Sequence, residues 1–204
     1  MHLKGQLHIH TTYSDGRLTP QKAADVYAGL GFDFIAFTDH DHLLKPSYRK
    51  AIDAVKADLI VFYGIELTVF EKGYVHVNRI EGDSEVLHVF NHPADYDLNL
   101  KQTIERINAI ARQYPLDAVE VTDHGFYTPE FDVPEIDYPK VASDDSHTRT
   151  GCGRAWIELE CKKDKDSILR AIKEGASWNC YERGLKKEAV ENNSNGLNIR
   201  QFIT

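Results

Sequence analysis

Short apolar runs alternate along the chain with segments whose apolar positions recur at helical spacing. Residues 3–10 read as a strand. Thr19-Pro20 supplies an N-cap and a proline at the first helical position, and Ala23, Val26, Tyr27 and Leu30 continue one apolar face behind them. Residues 32–37 form a short apolar strand ending in Thr38-Asp39-His40, a second helix follows over about 46–56, and residues 59–63 form a strand ending at Gly64-Ile65-Glu66. The pattern then changes. Residues 66–80 alternate around Lys72-Gly73, as a β-hairpin does. Beyond it the chain predicts a strand at 86–90, an amphipathic helix at 100–114, strands at 118–121, 141–142 and 155–159, and a closing helix at 166–175.

Repeated strand–helix units predict a mostly parallel sheet, open or closed into a barrel. The polar residues decide between these. Asp39-His40, Glu66, Asn91-His92 and Asp145-x-His147 each follow a short apolar strand at its C-terminal end. A closed α/β barrel gathers such ends at one mouth, whereas an open sheet would scatter them. The expectation is therefore an irregular barrel in which a hairpin replaces the helix between Glu66 and His92. With 204 residues and 42% apolar content the chain can bury one sizeable core. Residues 1–180 are expected to form that domain, with 181–204, polar and turn-rich around Asn192-Asn193-Ser194-Asn195-Gly196, as a C-terminal extension.

Charge and cysteine content narrow the chemistry. A net charge of −8, spread along the chain, offers no basic footprint for an extended nucleic-acid surface. No apolar run approaches the length of a membrane span, which predicts a soluble, cytoplasmic protein. Three widely spaced cysteines, Cys152, Cys161 and Cys180, argue against a disulfide framework and a cysteine-based zinc ribbon.

His8-x-His10 and Asp145-x-His147 place metal-capable side chains at i and i+2, which on extended backbone point to one side. Imidazoles mixed with carboxylates suit Zn²⁺, Mn²⁺ or Fe²⁺ better than an all-oxygen site for magnesium or calcium. Glu66, with two carboxylate oxygens, could bridge two ions, and a water held between them would become a nucleophile near neutral pH. An anionic group held at such a centre would also need cationic donors. Arg149, two residues past His147, is the first candidate, followed by Arg17 and Lys45; Tyr13 and Tyr127 could stack on a base or sugar. Asp39 is placed to orient a neighbouring ligand. His2, His42 and His88 read as capping or hydrogen-bonding residues. Thr122-Asp123-His124 echoes Thr38-Asp39-His40, either as a coincidental loop or as another ligand corner. Asp144 competes with Asp145, and the i, i+2 rule favours Asp145 as the partner of His147.

Leu7-His8-Ile9-His10-Thr11, Ser14-Asp15-Gly16, Phe37-Thr38-Asp39-His40-Asp41, Gly64-Ile65-Glu66, Asn91-His92-Pro93, Val119-Glu120-Val121 and Ser143-Asp144-Asp145-Ser146-His147 resemble, in order, the motifs of the PHP family, the polymerase and histidinol phosphatase domains. The resemblance covers roughly residues 3–175. It implies a distorted (β/α)7 barrel holding two or three divalent ions and hydrolysing phosphoesters by direct attack of a metal-bound hydroxide. Carried onto this sequence, it implies that His8, His10, Glu66 and Asp145 hold one ion. Glu66 would bridge to a second held by His76 and His92, and Asp15, His40 and His147 would hold a third. Glu66, Asp145 and His147 are the expected catalytic residues. His88 and His124 compete with His76 for its place. The expected substrate is a small phosphomonoester or a nucleotide-type phosphodiester. The alternatives are an amidohydrolase-like C–N or C–O hydrolase and a noncatalytic, metal-stabilised module.

Overall fold

The computed structural model describes residues 1–182, so the expected extension lies outside the described residues apart from Tyr181 and Glu182. In chain order the elements are β1 (His2–Gln6), α1 (Pro20–Gly29), β2 (Phe34–Phe37), α2 (Tyr48–Asp53), β3 (Ile60–Phe70), β4 (Tyr74–Glu81), β5 (Val86–Phe90) and α3 (Leu100–Ile110). There follow β6 (Ala118–Glu120), β7 (Thr122–Asp123), β8 (Phe126–Tyr127), β9 (Lys140–Val141), β10 (Ala155–Glu160), α4 (Lys165–Lys173) and β11 (Ser177–Tyr181). Nine strands form one sheet in the order β11-β10-β1-β2-β3-β4-β5-β6-β9, curled into a nearly closed barrel, and β7 and β8 form a separate small hairpin.

The barrel is mixed. β1, β2 and β3 run parallel, as do β5, β6 and β9, while β4 pairs antiparallel with β3 and β5. β10 pairs antiparallel with β1 and β11. Parallel neighbours need a crossover of about a dozen residues, usually helical. The β3–β4 turn is far too short for one, and the link from β9 to β10 holds only a 3₁₀ turn (Arg149–Gly151), so regular (β/α)7 repetition gives way at both places. Among the described residues only four α-helices serve the nine barrel strands.

Side-chain alternation separates the barrel interior from its wrapping. Phe34 and Ala36 of β2 face inward with Leu3, Leu7, Phe62, Ile80, Leu87, Val89 and Ile157, while Ile35 and Phe37 face outward onto Tyr27 of α1 and Ile52 of α2. Gly5 lies opposite Phe34 in the β1–β2 ladder, and a Cβ there would fall 1.8 Å from the Phe34 ring. The ring occupies the space the glycine leaves. α4 contributes Ile168, Leu169, Ala171 and Ile172 to the interior cluster. Asp166 on α4 accepts the backbone N–H groups of Asp83, Ser84 and Glu85, fixing the helix to the β4–β5 turn. That turn lies at the start of β5, so α4 plugs the end of the barrel opposite His92. α3 covers the outer face of the hairpin through Ile107 and Ile110 against Val69, Val75 and Val77. Among the described residues no helix is long and apolar enough to cross a membrane.

The chain predicts most of these elements within a few residues. The strand expected at 3–10 leaves its regular ladder at Gln6; His8 to His10 continue as extended chain, Ile9 making an isolated bridge to Ser146. Glu66 does not end a strand: β3 runs through it to Phe70 because β4 pairs with it along its whole second half. Tyr181 closes β11 and so belongs to the barrel, not to the extension.

Candidate metal centre

At the C-terminal mouth of the barrel the extended 8–10 segment brings two imidazoles together, with His8 Nε2 and His10 Nε2 3.1 Å apart. Glu66 reaches both from β3: its Oε1 lies 3.3 Å from His8 Nε2 and its Oε2 3.3 Å from His10 Nε2. Asp145 Oδ1 lies 3.4 Å from His8 Nε2 and 3.1 Å from His10 Nε2. His76 Nδ1 and His92 Nε2 each approach Glu66 Oε1 at 3.2 Å, and His40 Nδ1 approaches Oε2 at 2.9 Å. On the outer side Asp15 Oδ2 lies 3.3 Å from His147 Nε2 and 3.6 Å from His40 Nε2, with Asp15 Oδ1 3.5 Å from His10 Nδ1.

All nine predicted ligand residues therefore fall into groups compact enough to hold an ion: His10, Asp15, His40 and His147; His8, His10 and Glu66; His8, His92 and Asp145; His40, Glu66 and His76. A further group joins His124 to Asp145 and His147. The donor set fits divalent cations on a physical ground. His10 Nδ1, His40 Nδ1, His76 Nδ1, Glu66 Oε2 and Asp145 Oδ1 are buried, and their close mutual approaches lack hydrogen-bond geometry, so the cluster would be costly unless a cation satisfied it.

The electrostatics follow from this crowding. Burial opposes the ionisation of Glu66, yet His8, His10, His40 and His76 hold its carboxyl well below the ordinary range. Asp145 behaves likewise: burial is outweighed by His8, His10 and His124. Burial also disfavours charge on His10, but Asp145 and Glu66 raise it to about 9. His8 and His92 are raised by the same carboxylates against their burial. His147 is lowered, by burial and then by its neighbour His10. Without cations the carboxylates thus favour the protonated forms of His8, His10 and His92, and cation binding would oppose that protonation.

A second layer of side chains aims the ligands. Glu120 is buried; its Oε2 lies 3.3 Å from His8 Nδ1 and accepts the His92 backbone N–H at 3.0 Å. Its Oε1 accepts from Thr122 Oγ1 at 3.2 Å and from the Ser143 hydroxyl. Asn91 Nδ2 donates to Glu66 Oε1 at 2.8 Å. Asp39 accepts the Thr11 N–H and hydroxyl, both at 2.8 Å, and the Ser14 hydroxyl at 2.6 Å. It thereby fixes the loop that carries Asp15. Gly16 completes that loop because a Cβ there would lie 2.4 Å from the His10 carbonyl oxygen. Asp144 points away from the ligands: it accepts from Tyr27 Oη at 2.8 Å, Gly153 N at 2.6 Å and Ala155 N at 2.8 Å. The register between Asp144 and Asp145 is thus resolved in favour of Asp145.

Other expectations need correction. The Asp145–His147 pair is not extended, since Asp145 has φ +45°; His92 (φ +24°) and His124 (φ +47°) are also left-handed. Such backbone is uncommon outside glycine, with Asp and His among the exceptions. His124 Nδ1 lies 3.1 Å from Asp145 Oδ2, so the 122–124 echo is more than a coincidental loop. His88 is excluded from the cluster; it sits beside Asp117 on β5, where burial lowers it. Arg149 is exposed and lines an outer cleft with Leu18, Lys22, Asp25 and Cys152 of which no cluster residue is part. Arg17 is exposed too, its backbone N–H bonded to the His147 carbonyl at 2.8 Å. Lys45 Nζ is engaged by the Thr12 carbonyl at 2.5 Å, Tyr13 packs against Tyr48, and Tyr127 donates to Asp132. Glu120 is the residue whose role the sequence left unassigned, although its Val-Glu-Val motif marks it. Cys152 and Cys161 are free thiols.

A mixed, nearly closed barrel thus gathers imidazoles and carboxylates at one mouth. Residues 6–100 match the PHP domain, so the family resemblance of the sequence holds over that stretch. Over 98 residues the chain is 31% identical to the DNA polymerase/3′-5′ exonuclease PolX of Bacillus subtilis, a match covering 42% of this chain and 16% of that protein. It is 33% identical over 102 residues to the 5′-3′ exoribonuclease Rnm of Salmonella typhimurium, covering 49% of this chain and 33% of that one. The chain thus spans a third or less of these relatives. The fold is shared with a two-domain protein of Bacteroides vulgatus described as containing a predicted PHP-like metal-dependent phosphoesterase. That match has TM-score 0.68 and 16% identity and covers 89% of this chain and 65% of the other.

Proposed function

We propose that this protein is a metal-dependent phosphoesterase acting on a small phosphomonoester or a nucleotide-type phosphodiester. The observation that carries the reading is the convergence of His8, His10, Asp15, His40, Glu66, His76, His92, Asp145 and His147 on one mouth of the barrel. Two or three divalent ions, of the Zn²⁺, Mn²⁺ or Fe²⁺ kind that imidazole–carboxylate sets favour, would supply Lewis acidity, activating a water and neutralising phosphate oxygens. Glu66 offers one oxygen to His8, His76 and His92 and the other to His10 and His40, so it is the residue placed to be shared between ions. Asp145 contacts His8 and His10 on one side and His124 on the other, linking the inner and outer halves of the cluster. Glu120, bonded to His8 Nδ1, leaves His8 Nε2 facing the centre. His147 and Asp15 stand at the more exposed edge, where a substrate phosphate would enter; Arg17 and Arg149, each two residues from one of them, are the cations nearest in sequence to that edge.

The test is hydrolysis of a phosphomonoester and a phosphodiester by the purified protein with Mn²⁺, Zn²⁺ or Fe²⁺ added and with chelator. Turnover that requires metal supports the reading. Absence of turnover with every ion, despite stoichiometric bound metal, overturns it in favour of a noncatalytic module.

A further inference from the structure

The β3–β4 hairpin carries two of the proposed ligands and then continues outward. Its alternation assigns Glu66, Thr68 and Phe70 to one face of β3, and Asn78, His76 and Tyr74 to the same face of β4. The ladder confirms the rungs, with Glu66 opposite Asn78, Thr68 opposite His76 and Phe70 opposite Tyr74. The other face, with Val69, Val75 and Val77, is buried against α3. The face that holds the candidate metal centre therefore ends in an aromatic rung. Phe70 is 66% and Tyr74 68% exposed, and their rings meet edge to face with centroids 5.2 Å apart.

Two large aromatic side chains this open to water bury little apolar surface, so the core does not account for them. Nor is the rung loosely hung. Arg106 of α3, itself buried, donates from Nη2 to the Lys72 carbonyl at 2.8 Å and from Nη1 to the Gly73 carbonyl at 3.2 Å. A buried guanidinium committed to two turn carbonyls fixes the tip on the body of the protein. Tyr96 accepts the His76 backbone N–H at 2.8 Å and fixes the rung below. Tyr74 and His76 lie two positions apart on β4, with Val75 between them, a rise of about 7 Å. That is comparable to the reach from a nucleotide's phosphate to its base.

We propose that Phe70 and Tyr74 form a fixed base-stacking ledge, so that the phosphoester bound at the metal centre is that of a nucleotide whose base lies on this rung. The proposal rests on the phosphoesterase reading for the position of the phosphate and adds the substrate class. Stacking suits such a ledge because every base presents a π-face, so affinity for the base comes without sequence preference.

Calorimetric binding in the presence of Mn²⁺ tests it, with adenosine 5′-monophosphate, ribose 5-phosphate and the 5′-phosphorylated dinucleotide pApA as probes. The wild-type protein should bind the adenosine ester about 5- to 150-fold more tightly than ribose 5-phosphate. The Phe70→Ser/Tyr74→Ser variant should bind the two alike, with unchanged affinity for ribose 5-phosphate, and Phe70→Tyr/Tyr74→Phe should restore the discrimination. Equal affinities in the wild type, equal losses for both probes in the serine variant, or no binding of any probe would overturn the ledge. Tighter binding of pApA than of the mononucleotide would assign the ledge to an oligonucleotide end, and equal binding to a free mononucleotide. Hydrolysis is read separately: base-selective binding without cleavage of any ester leaves the ledge standing and removes the phosphoesterase reading, and cleavage without base selectivity does the reverse.

Discussion

Tyr27→Phe probes how the body of the barrel holds the metal-facing loop. Tyr27 is fully buried on α1, and its hydroxyl lies 2.8 Å from Asp144 Oδ2 and 2.7 Å from Ser146 Oγ, the residues flanking Asp145. Removing the oxygen leaves Ser146 Oγ without this partner and takes one of three donors from Asp144. Loss of a buried hydrogen bond of this kind costs about 1–3 kcal/mol. For a chain of this size, each kcal/mol moves the melting temperature by about 2–4 °C, so a fall of about 4–8 °C is expected for a mid-range loss. The pH dependence sharpens the test. Burial raises Asp144 from 3.8 to about 6, against the pull of the Ala155 and Gly153 N–H groups and the Tyr27 hydroxyl. A carboxyl raised on folding leaves stability intact below its unfolded value and loses it as pH rises through the folded value. Without the hydroxyl the folded value rises further, so the loss is larger when Asp144 is ionised. The gap between variant and wild type should widen from about pH 5 to about pH 8 in chelator-treated protein. Melting curves that coincide within about 1 °C at both pH values would refute the reasoning.

Asp145→Ala and His10→Ala should each abolish metal-dependent turnover while the far-ultraviolet circular dichroism stays that of the wild type; retained activity in both would remove the proposed centre. Glu120→Gln should weaken metal affinity about 10- to 100-fold by loosening the orientation of His8, measured by competition with a chromophoric chelator. Gly16→Ala should displace the Asp15 loop from the His10 carbonyl and lower the bound-metal stoichiometry determined by elemental analysis, with the barrel's melting behaviour retained after chelation. Stripping metal from loaded protein should lower the melting temperature, by the equivalent of about 2.7 kcal/mol where free metal had stood at about a hundred times its dissociation constant.

Local chemistry explains which parts of the molecule were readable in the chain. Thr19-Pro20 announces α1, and Thr19 does cap it by accepting the Lys22 N–H. Lys72-Gly73 announces the hairpin, whose turn takes φ +57° and +128° at those residues. The ligands were readable because His8 and His10 sit at a spacing that only needs extended backbone. What depends on distant partners was not. The period of β10 cannot tell whether it will pair parallel or antiparallel with β1, and β7 and β8 are too short for any period to register. Glu66 looked like a strand end because its preceding residues are apolar, whereas its place in the middle of β3 depends on pairing with β4. Gln6 carries no local signal, yet its amide accepts from Leu7 N, His8 N and Asp144 N and donates to the Ala155 carbonyl. Glu120 lies 112 residues from the histidine it orients.

The left-handed backbone at His92, His124 and Asp145 also has an evolutionary consequence. Conformations of this kind cost about 1–3 kcal/mol where the residue has a side chain, and glycine adopts them freely. Selection for thermal resistance alone would therefore favour glycine at the very positions that supply donors to the mouth. Glycine at positions 92 and 145 would relieve that backbone while removing two of the donors the mouth gathers.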